Sequence, residues 1–219
     1  MVSERVYVYI SVNMSYDNFA HTFSKSRQNH PWPELDFIIE DMKKQWYQSI
    51  LDIGCGNGRF LEEAKNRGYI SERYIGLDSS SGMIEEARWL HPDFDFDVID
   101  MIWLRKSKIS KSSFDTILLL ASFHHLQTQK ERTRVLCDIK TLLASGGRIY
   151  MTNWNLREQP RYEKSHQWNG DFNIKIGEYS RYYHGFNVEE LEGLFYEAWY
   201  TIIENRVWDG GRNIMSVIL

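Results

Sequence analysis

Hydrophobic positions along the chain fall into short runs that alternate with stretches of helical spacing. Ser49 to Ile53 is one compact apolar run; Tyr74 to Leu77, Phe94 to Val98, Phe114 to Leu120 and Arg148 to Thr152 are four more. Each predicts a strand, since apolar, β-branched and aromatic residues in short runs suit a pleated, buried position. Between them, apolar residues three and four apart predict helices over Phe37–Tyr47 (Phe37, Ile38, Ile39, Met42, Trp46), Phe60–Arg67, Met83–Leu90 and Glu131–Leu143. Pro31 and Pro33 punctuate the start of the first helix, Gly68 stops the second, and Gly146-Gly147 follow the fourth. A last helix over Val188–Ala198 and strands over Thr201–Asn205 and Asn213–Ile218 close the chain.

This alternation predicts an α/β fold: Rossmann-like and doubly wound, a seven-stranded, mostly parallel sheet with helices on both faces. From Asn153 to Ser180 the period lapses and Trp, Tyr, Arg, Asn and Gln dominate. A long irregular segment of this kind predicts a lid or recognition insert within one domain spanning 16–219. Val6 to Val12 has a strand-like pattern, but more orderly spacing begins at Met14, so 1–15 is taken as an N-terminal extension.

The segment richest in chemistry is Ile50-Leu-Asp-Ile-Gly-Cys-Gly-Asn-Gly-Arg59. Gly54, Gly56 and Gly58 follow a strand and precede a helix, where a nucleotide-like ligand needs close backbone approach. A dinucleotide fingerprint calls for a further glycine where Arg59 stands. Asp52, at the loop edge, is awkward for a pyrophosphate and natural for a cationic amine. Asp78 ends the second strand about 20 residues beyond Gly58, the spacing at which a carboxylate reaches ribose hydroxyls. Asp100, after the third strand, can accept from an adenine amine, and Met83, Met101 and Ile102 offer apolar faces for a purine.

Asp52 to Gly58, Tyr74 to Asp78, Asp100 and the strand Phe114 to Leu126 resemble, in order and spacing, the motifs of class I S-adenosylmethionine-dependent methyltransferases. The resemblance implies S-adenosylmethionine as cofactor, with S-adenosylhomocysteine as product. It places Asp52 and Gly54 beside the methionine moiety, with Cys55, Gly56 and Gly58 in the same loop. Asp78 falls to the ribose, with Ser79 beside it, Asp100 and Met101 to the adenine, and Ala121 near the sulfonium.

Finer features are similar to the tRNA wobble-uridine carboxymethyl methyltransferases, including the methyltransferase domain attached to AlkB-type tRNA hydroxylases. They are Phe23-Ser-Lys-Ser-Arg27 with Pro31-Trp-Pro33, Phe123-His-His-Leu126, Asn153-Trp-Asn155, Arg181-Tyr-Tyr-His-Gly-Phe186 and Gly211-Arg-Asn-Ile214. The acceptor this implies is a carboxylate, already nucleophilic at neutral pH. Such a reaction needs in-line approach and exclusion of water more than it needs a strong base. His124 and His125 are then expected to orient the acceptor or relay a proton. Arg27, Arg161 or Arg181 would clamp the carboxylate.

An anticodon loop would stack its bases on aromatic rings such as Trp32, Trp154, Tyr162, Trp168, Tyr182 and Tyr183, beside His184. Arg105, Lys106, Lys108 and Lys111, with Arg157, Arg161 and Lys164, are the basic residues available to its phosphates. The competing acceptor is a small carboxylic acid, phenol or quinone, with the insert as a lid. The resemblance also leaves room for an activating partner subunit.

Composition trims these readings. The 219 residues are 42% hydrophobic and 26% charged, enough apolar content for a buried core. Thirty acidic against 26 basic side chains, a formal charge of −4, argue against nonspecific coating of nucleic acid and favour a small acceptor. Cys55 and Cys137 are too few for a disulfide framework or a thiol zinc cluster, so no metal is expected and a reducing, cytoplasmic setting is. No apolar run is long enough to span a bilayer, so no membrane association is expected.

Overall fold

The computed structural model describes residues 32–109, 113–176 and 179–219. The expectations placed on the first 31 residues, Arg27 and the Phe23–Arg27 motif among them, and on Lys111 lie outside the described residues.

Helix α1 (Glu34–Lys44) buries Leu35, Ile38, Ile39 and Met42 completely, the stripe that helical spacing dictates. Glu34 and Asp36 in its first turn and Lys43 and Lys44 in its last complement the helix dipole. There follow β1 (Ser49–Ile53), α2 (Arg59–Asn66), β2 (Arg73–Asp78), α3 (Ser81–Leu90), β3 (Asp95–Val98), β4 (Phe114–Leu120), α4 (Gln129–Lys140) and β5 (Leu143–Trp154). The remaining elements are β6 (Asp171–Ile176), β7 (Tyr179–His184), α5 (Val188–Glu197), β8 (Ile202–Val207) and β9 (Asn213–Ile218).

The central sheet has seven strands in the order β3-β2-β1-β4-β5-β9-β8. The pairs among β1 to β5 are parallel, and β9 runs antiparallel to both β5 and β8. Alternation along β1 assigns its side chains to the two faces. Ile50 joins the core beneath α1, α2 and α3, whereas Leu51 and Ile53 join the core beneath α4 and α5. The order reverses between β1 and β4, so ligand-binding loops are expected at the carboxyl ends of those strands.

Several boundaries shift: the first helix, expected over Phe37–Tyr47, spans Glu34–Lys44 and leaves Trp46 82% exposed beyond its end. The helix expected to reach Leu143 ends at Lys140, because Leu142 and Leu143 turn into a β5 longer than the Arg148–Thr152 run. Apolar residues of a strand entrance had extended the helical spacing. The segment expected to be irregular from Asn153 to Ser180 instead holds the end of β5 and most of a two-stranded antiparallel ribbon, β6–β7. Its alternation is short: Phe172 and Ile174 are buried, while Asn173 and Lys175, each following one of them, are exposed. These residues pack with Leu156 and Tyr183 in a small core of their own. Among the described residues no helix is long and apolar enough to cross a membrane.

Candidate functional site

The loop from β1 into α2 is built on left-handed backbone at Gly54 (φ 78°), Gly56 (φ 57°) and Gly58 (φ 78°), conformations that disfavour any side chain. A Cβ on Gly54 would lie 2.3 Å from the Cβ of Ser122, so the loop packs directly on the end of β4. At Gly56 a Cβ would meet nothing within 4 Å; there the loop borders open space. Gly58 is the N-cap of α2.

Asp78 ties this loop to the next one. Its Oδ2 accepts from the Gly56 amide at 3.0 Å and its Oδ1 from the Ser80 amide at 2.9 Å. Burial pushes the Asp78 carboxyl up, and backbone N–H groups at Ser80, Gly56 and Ser79 pull it back. Ser79 itself is exposed, and Ser80 caps α3 by accepting from the Met83 amide. Met83 is buried. Asp100 caps the short 3-10 turn Met101–Lys106 through the Ile102 amide at 3.0 Å, with Met101 half-buried behind it.

Asp52 is 2% exposed and accepts from the Tyr74 hydroxyl at 2.7 Å. Burial pushes its carboxyl up to about 7; the Tyr74 bond opposes that rise and the charge of Asp78 adds to it. Buried Cys55 follows, its thiol held well above the usual range by burial and then by Asp52 and Asp78.

At the end of β4, Ala121 has φ 54°, and its amide donates to both the carbonyl and the Oγ1 of Thr152 at 3.0 Å. A non-glycine residue held in this region marks a constrained turn. His124 and His125 follow, with ring centroids 4.6 Å apart. Nδ1 of buried His124 accepts from the Trp154 amide at 3.3 Å, and His125 meets the Tyr182 carbonyl. Burial lowers the pKa of His125 to about 4, so the ring is neutral at pH 7. Both histidines lie against Tyr183, which stacks on Trp154 at 5.0 Å and 5°, and Trp154 stacks in turn on Tyr162. Arg181 lies 5.8 Å from the Tyr183 ring and Arg161 4.6 Å from that of Tyr162. Burial lowers Arg181 to about 10, which leaves it cationic at neutral pH.

The carboxyl ends of β1, β2 and β4 therefore gather the glycine loop, Asp52, Asp78 and Ala121. A Rossmann-like sheet with two buried carboxylates beside an open glycine turn suits a ligand that carries an amine and a ribose. Residues 50–147 match the family of methyltransferase domains. A tRNA (carboxymethyluridine(34)-5-O)-methyltransferase of Saccharomyces cerevisiae is 32% identical over 149 residues, 67% of this chain and 49% of that protein.

Residues 50–147 form a domain of the S-adenosylmethionine-dependent methyltransferase kind.

The chain spans about half the length of that yeast relative. A protein of Encephalitozoon cuniculi is 24% identical over 203 residues, 89% of each chain. The fold is shared with an S-adenosylmethionine-dependent methyltransferase from Clostridium acetobutylicum at TM-score 0.68 and 16% identity, covering 93% of this chain and 98% of that one.

Other residues expected at the site make contacts of their own. His184, expected at the substrate, is 3% exposed, with Nδ1 2.8 Å from Asp171 and Nε2 2.6 Å from Glu190. Both ring nitrogens are occupied, so His184 braces the ribbon against α5. The hydroxyl of Tyr182 lies 2.7 Å from Asp171 and accepts from Arg132, which makes Tyr182 part of that brace. Trp32 is half-buried, with the Arg59 guanidinium 4.9 Å from its ring. Trp154 and Tyr183 face each other, whereas Trp168 is 88% exposed. In the basic run, Arg105 pairs with Asp138 at 3.2 Å and Lys106 lies 4.1 Å from the Trp103 ring.

Sequence reasoning overlooked Tyr74, Arg132, Asp171 and Glu190 as parts of the site and its brace. Their partners are set by strand register and helix packing, which no local motif displays.

Proposed function

We propose that this methyltransferase esterifies a carboxylate, and that the carboxylate belongs to a carboxymethyl group on the wobble uridine of a tRNA. The observation that carries the reading is the meeting of His124, His125, Trp154, Tyr183 and Arg181 beside Ala121 at the end of β4. The activity named for the yeast relative supports the acceptor.

In this reading Asp52 receives the methionine amine, and Gly54, Cys55, Gly56 and Gly58 let the ligand approach the backbone. Asp78, with Ser79, takes the ribose through the lone pairs its amide bonds leave over. Asp100, Met101 and Met83 flank the adenine, and Ala121 borders the sulfonium. Bound S-adenosylmethionine supplies a methyl that passes to the carboxylate oxygen as its carbon–sulfur bond breaks, giving a thioether and a methyl ester. No proton moves, so a strong base is not required. A neutral, buried His125 is consistent with that chemistry, as an orienting group. Arg181 holds the acceptor carboxylate, Arg161 assists, and the stacked aromatics exclude water.

The test is transfer of radiolabelled methyl from S-adenosylmethionine to separated pools of tRNA and small metabolites. Alkali-labile label in tRNA is the expected result. Alkali-stable label in tRNA would overturn the carboxylate, and label confined to small acids, phenols or quinones would overturn the tRNA.

A further inference from the structure

Asp52 and Tyr74 sit on adjacent parallel strands, in register Asp52 with Gly76 and Ile50 with Tyr74. Side chains two residues apart share a face, so the Tyr74 ring runs diagonally past Gly76 to reach Asp52. Gly76 keeps that path short: a Cβ there would lie 2.5 Å from the Phe96 ring and 2.9 Å from the Cys55 sulfur. Tyr74 is itself 2% exposed and held on three sides. Phe60 stacks on it at 6.4 Å, and Phe94 and Phe96 meet it edge-on at 5.7 and 5.8 Å.

Among the described residues, the Tyr74 hydroxyl is the one hydrogen-bond donor to the Asp52 carboxylate, and it engages Oδ2. A carboxylate this deeply buried, satisfied on one oxygen by a neutral hydroxyl, is short of a positive partner among the described residues. Among the described residues, the ionisable groups facing it are Tyr74 and Asp78 on β2 and Cys55 in the loop, none of them cationic.

We propose that Tyr74 is a positioning residue for the cofactor, fixing the Asp52 carboxylate so that Oδ1 is kept for the cationic amine of the ligand. The proposal rests on the reading that Asp52 receives the methionine amine. The aromatic cage prevents the hydroxyl from swinging away, so the carboxylate is oriented before the ligand arrives. The same isolation gives a proton linkage. The carboxyl holds a proton near neutrality and gives it up when the amine pairs with it, so affinity rises with pH from about 6 to 8.

The experiment is calorimetry on the full chain with two ligands. S-adenosylhomocysteine carries the amine, and 5′-methylthioadenosine keeps the nucleoside but lacks the amino acid part. Tyr74→Phe is expected to weaken S-adenosylhomocysteine about tenfold at pH 8 and to leave methylthioadenosine within about twofold of wild type. Wild type is expected to release a fraction of a proton on binding S-adenosylhomocysteine at pH 6.5, read from buffers of different ionisation enthalpy. Equal weakening of both ligands would show general damage to the pocket and overturn the proposal, as would no weakening of either. Asp52→Asn separates the two levels. If it binds S-adenosylhomocysteine like wild type, the amine does not sit at Asp52 and the underlying reading falls. If it loses that affinity while Tyr74→Phe does not, only the role of Tyr74 falls.

Discussion

His125 donates from Nδ1 to the carbonyl oxygen of Tyr182 at 3.2 Å, a bond that joins the end of β4 to the ribbon strand β7. A carbonyl only accepts, so the proton is on Nδ1 and the neutral ring presents Nε2 as an acceptor. Two segments more than fifty residues apart in sequence are thus fixed as one wall of the site.

The burial of His125, which the bond to Tyr182 only partly offsets, predicts a pH dependence of stability. The folded state holds His125 near 4, against 6.5 for an ordinary histidine. Between those values the unfolded chain binds more protons than the folded one. The stabilisation is therefore fully present above about 6.5 and is lost as pH falls toward 4. Urea unfolding from pH 7 to 4.5 is expected to show a wild-type loss exceeding that of His125→Asn by on the order of 1–2 kcal/mol. Parallel pH curves for the two proteins would remove His125 as the cause.

The ion cluster behind the ribbon predicts a variant that separates structure from substrate binding. Glu190 receives His184 and lies 3.2 Å from Arg157 and 3.7 Å from Arg132, the last only 6% exposed. Removing the imidazole leaves Asp171 and Glu190 short of a donor in a largely buried place. His184→Ala should cost about 2–4 kcal/mol in chemical unfolding and leave S-adenosylhomocysteine affinity within about threefold of wild type. A variant of full stability that has lost only the acceptor would restore His184 to the substrate.

The contrast between these two sets of residues explains what the sequence could reveal. The glycine loop, Asp78 and the strand order were legible because a tight turn, a carboxylate at a strand end and an alternating hydrophobic period are local properties. Asp52 was legible as a candidate site residue, but its partner Tyr74 depends on the register of β1 against β2. His184 looked like a substrate contact because its neighbours Arg181, Tyr182 and Tyr183 signal a crowded site. Its true partners come from β6 and from α5, brought together only by folding. The ribbon was missed because the alternation of β6 is short, with Phe172 and Ile174 buried between polar neighbours, too brief a run to establish a period.

Two glycines of one loop should fail in different ways. Gly54→Ala drives a Cβ to 2.3 Å from Ser122 and also strains a φ of 78°, so it is expected to destabilise the fold by about 2–4 kcal/mol. Gly56→Ala meets no protein atom within 4 Å and carries only the cost of φ 57°, about 1 kcal/mol. Its methyl instead enters the space assigned to the ligand. Thermal unfolding with S-adenosylhomocysteine titration should therefore find Gly56→Ala folded and weakened at least tenfold in binding. Tight binding by that variant would mean that the ligand does not pass along Gly56.

Asn153 offers the sharpest conflict between stability and use. It is fully buried in β5, and among the described residues neither its side-chain oxygen nor its nitrogen has a partner. An amide left so costs about 1–3 kcal/mol, while leucine has nearly the same shape and no such debt. The next residue, Trp154, gives its amide to His124 and its ring to the stack on Tyr183, so Asn153 lies directly behind the acceptor wall. Asn153→Leu is therefore expected to raise the melting temperature by about 2–4 °C. It should also lower methyl transfer to tRNA at least tenfold, with S-adenosylhomocysteine affinity unchanged, because the wall loses the polar group that a buried bridging water can use. A less stable variant would show that the amide is already satisfied in solution. A more stable variant with full activity would make Asn153 a packing residue and place the polar contacts to the acceptor on His124, His125 and Arg181 alone.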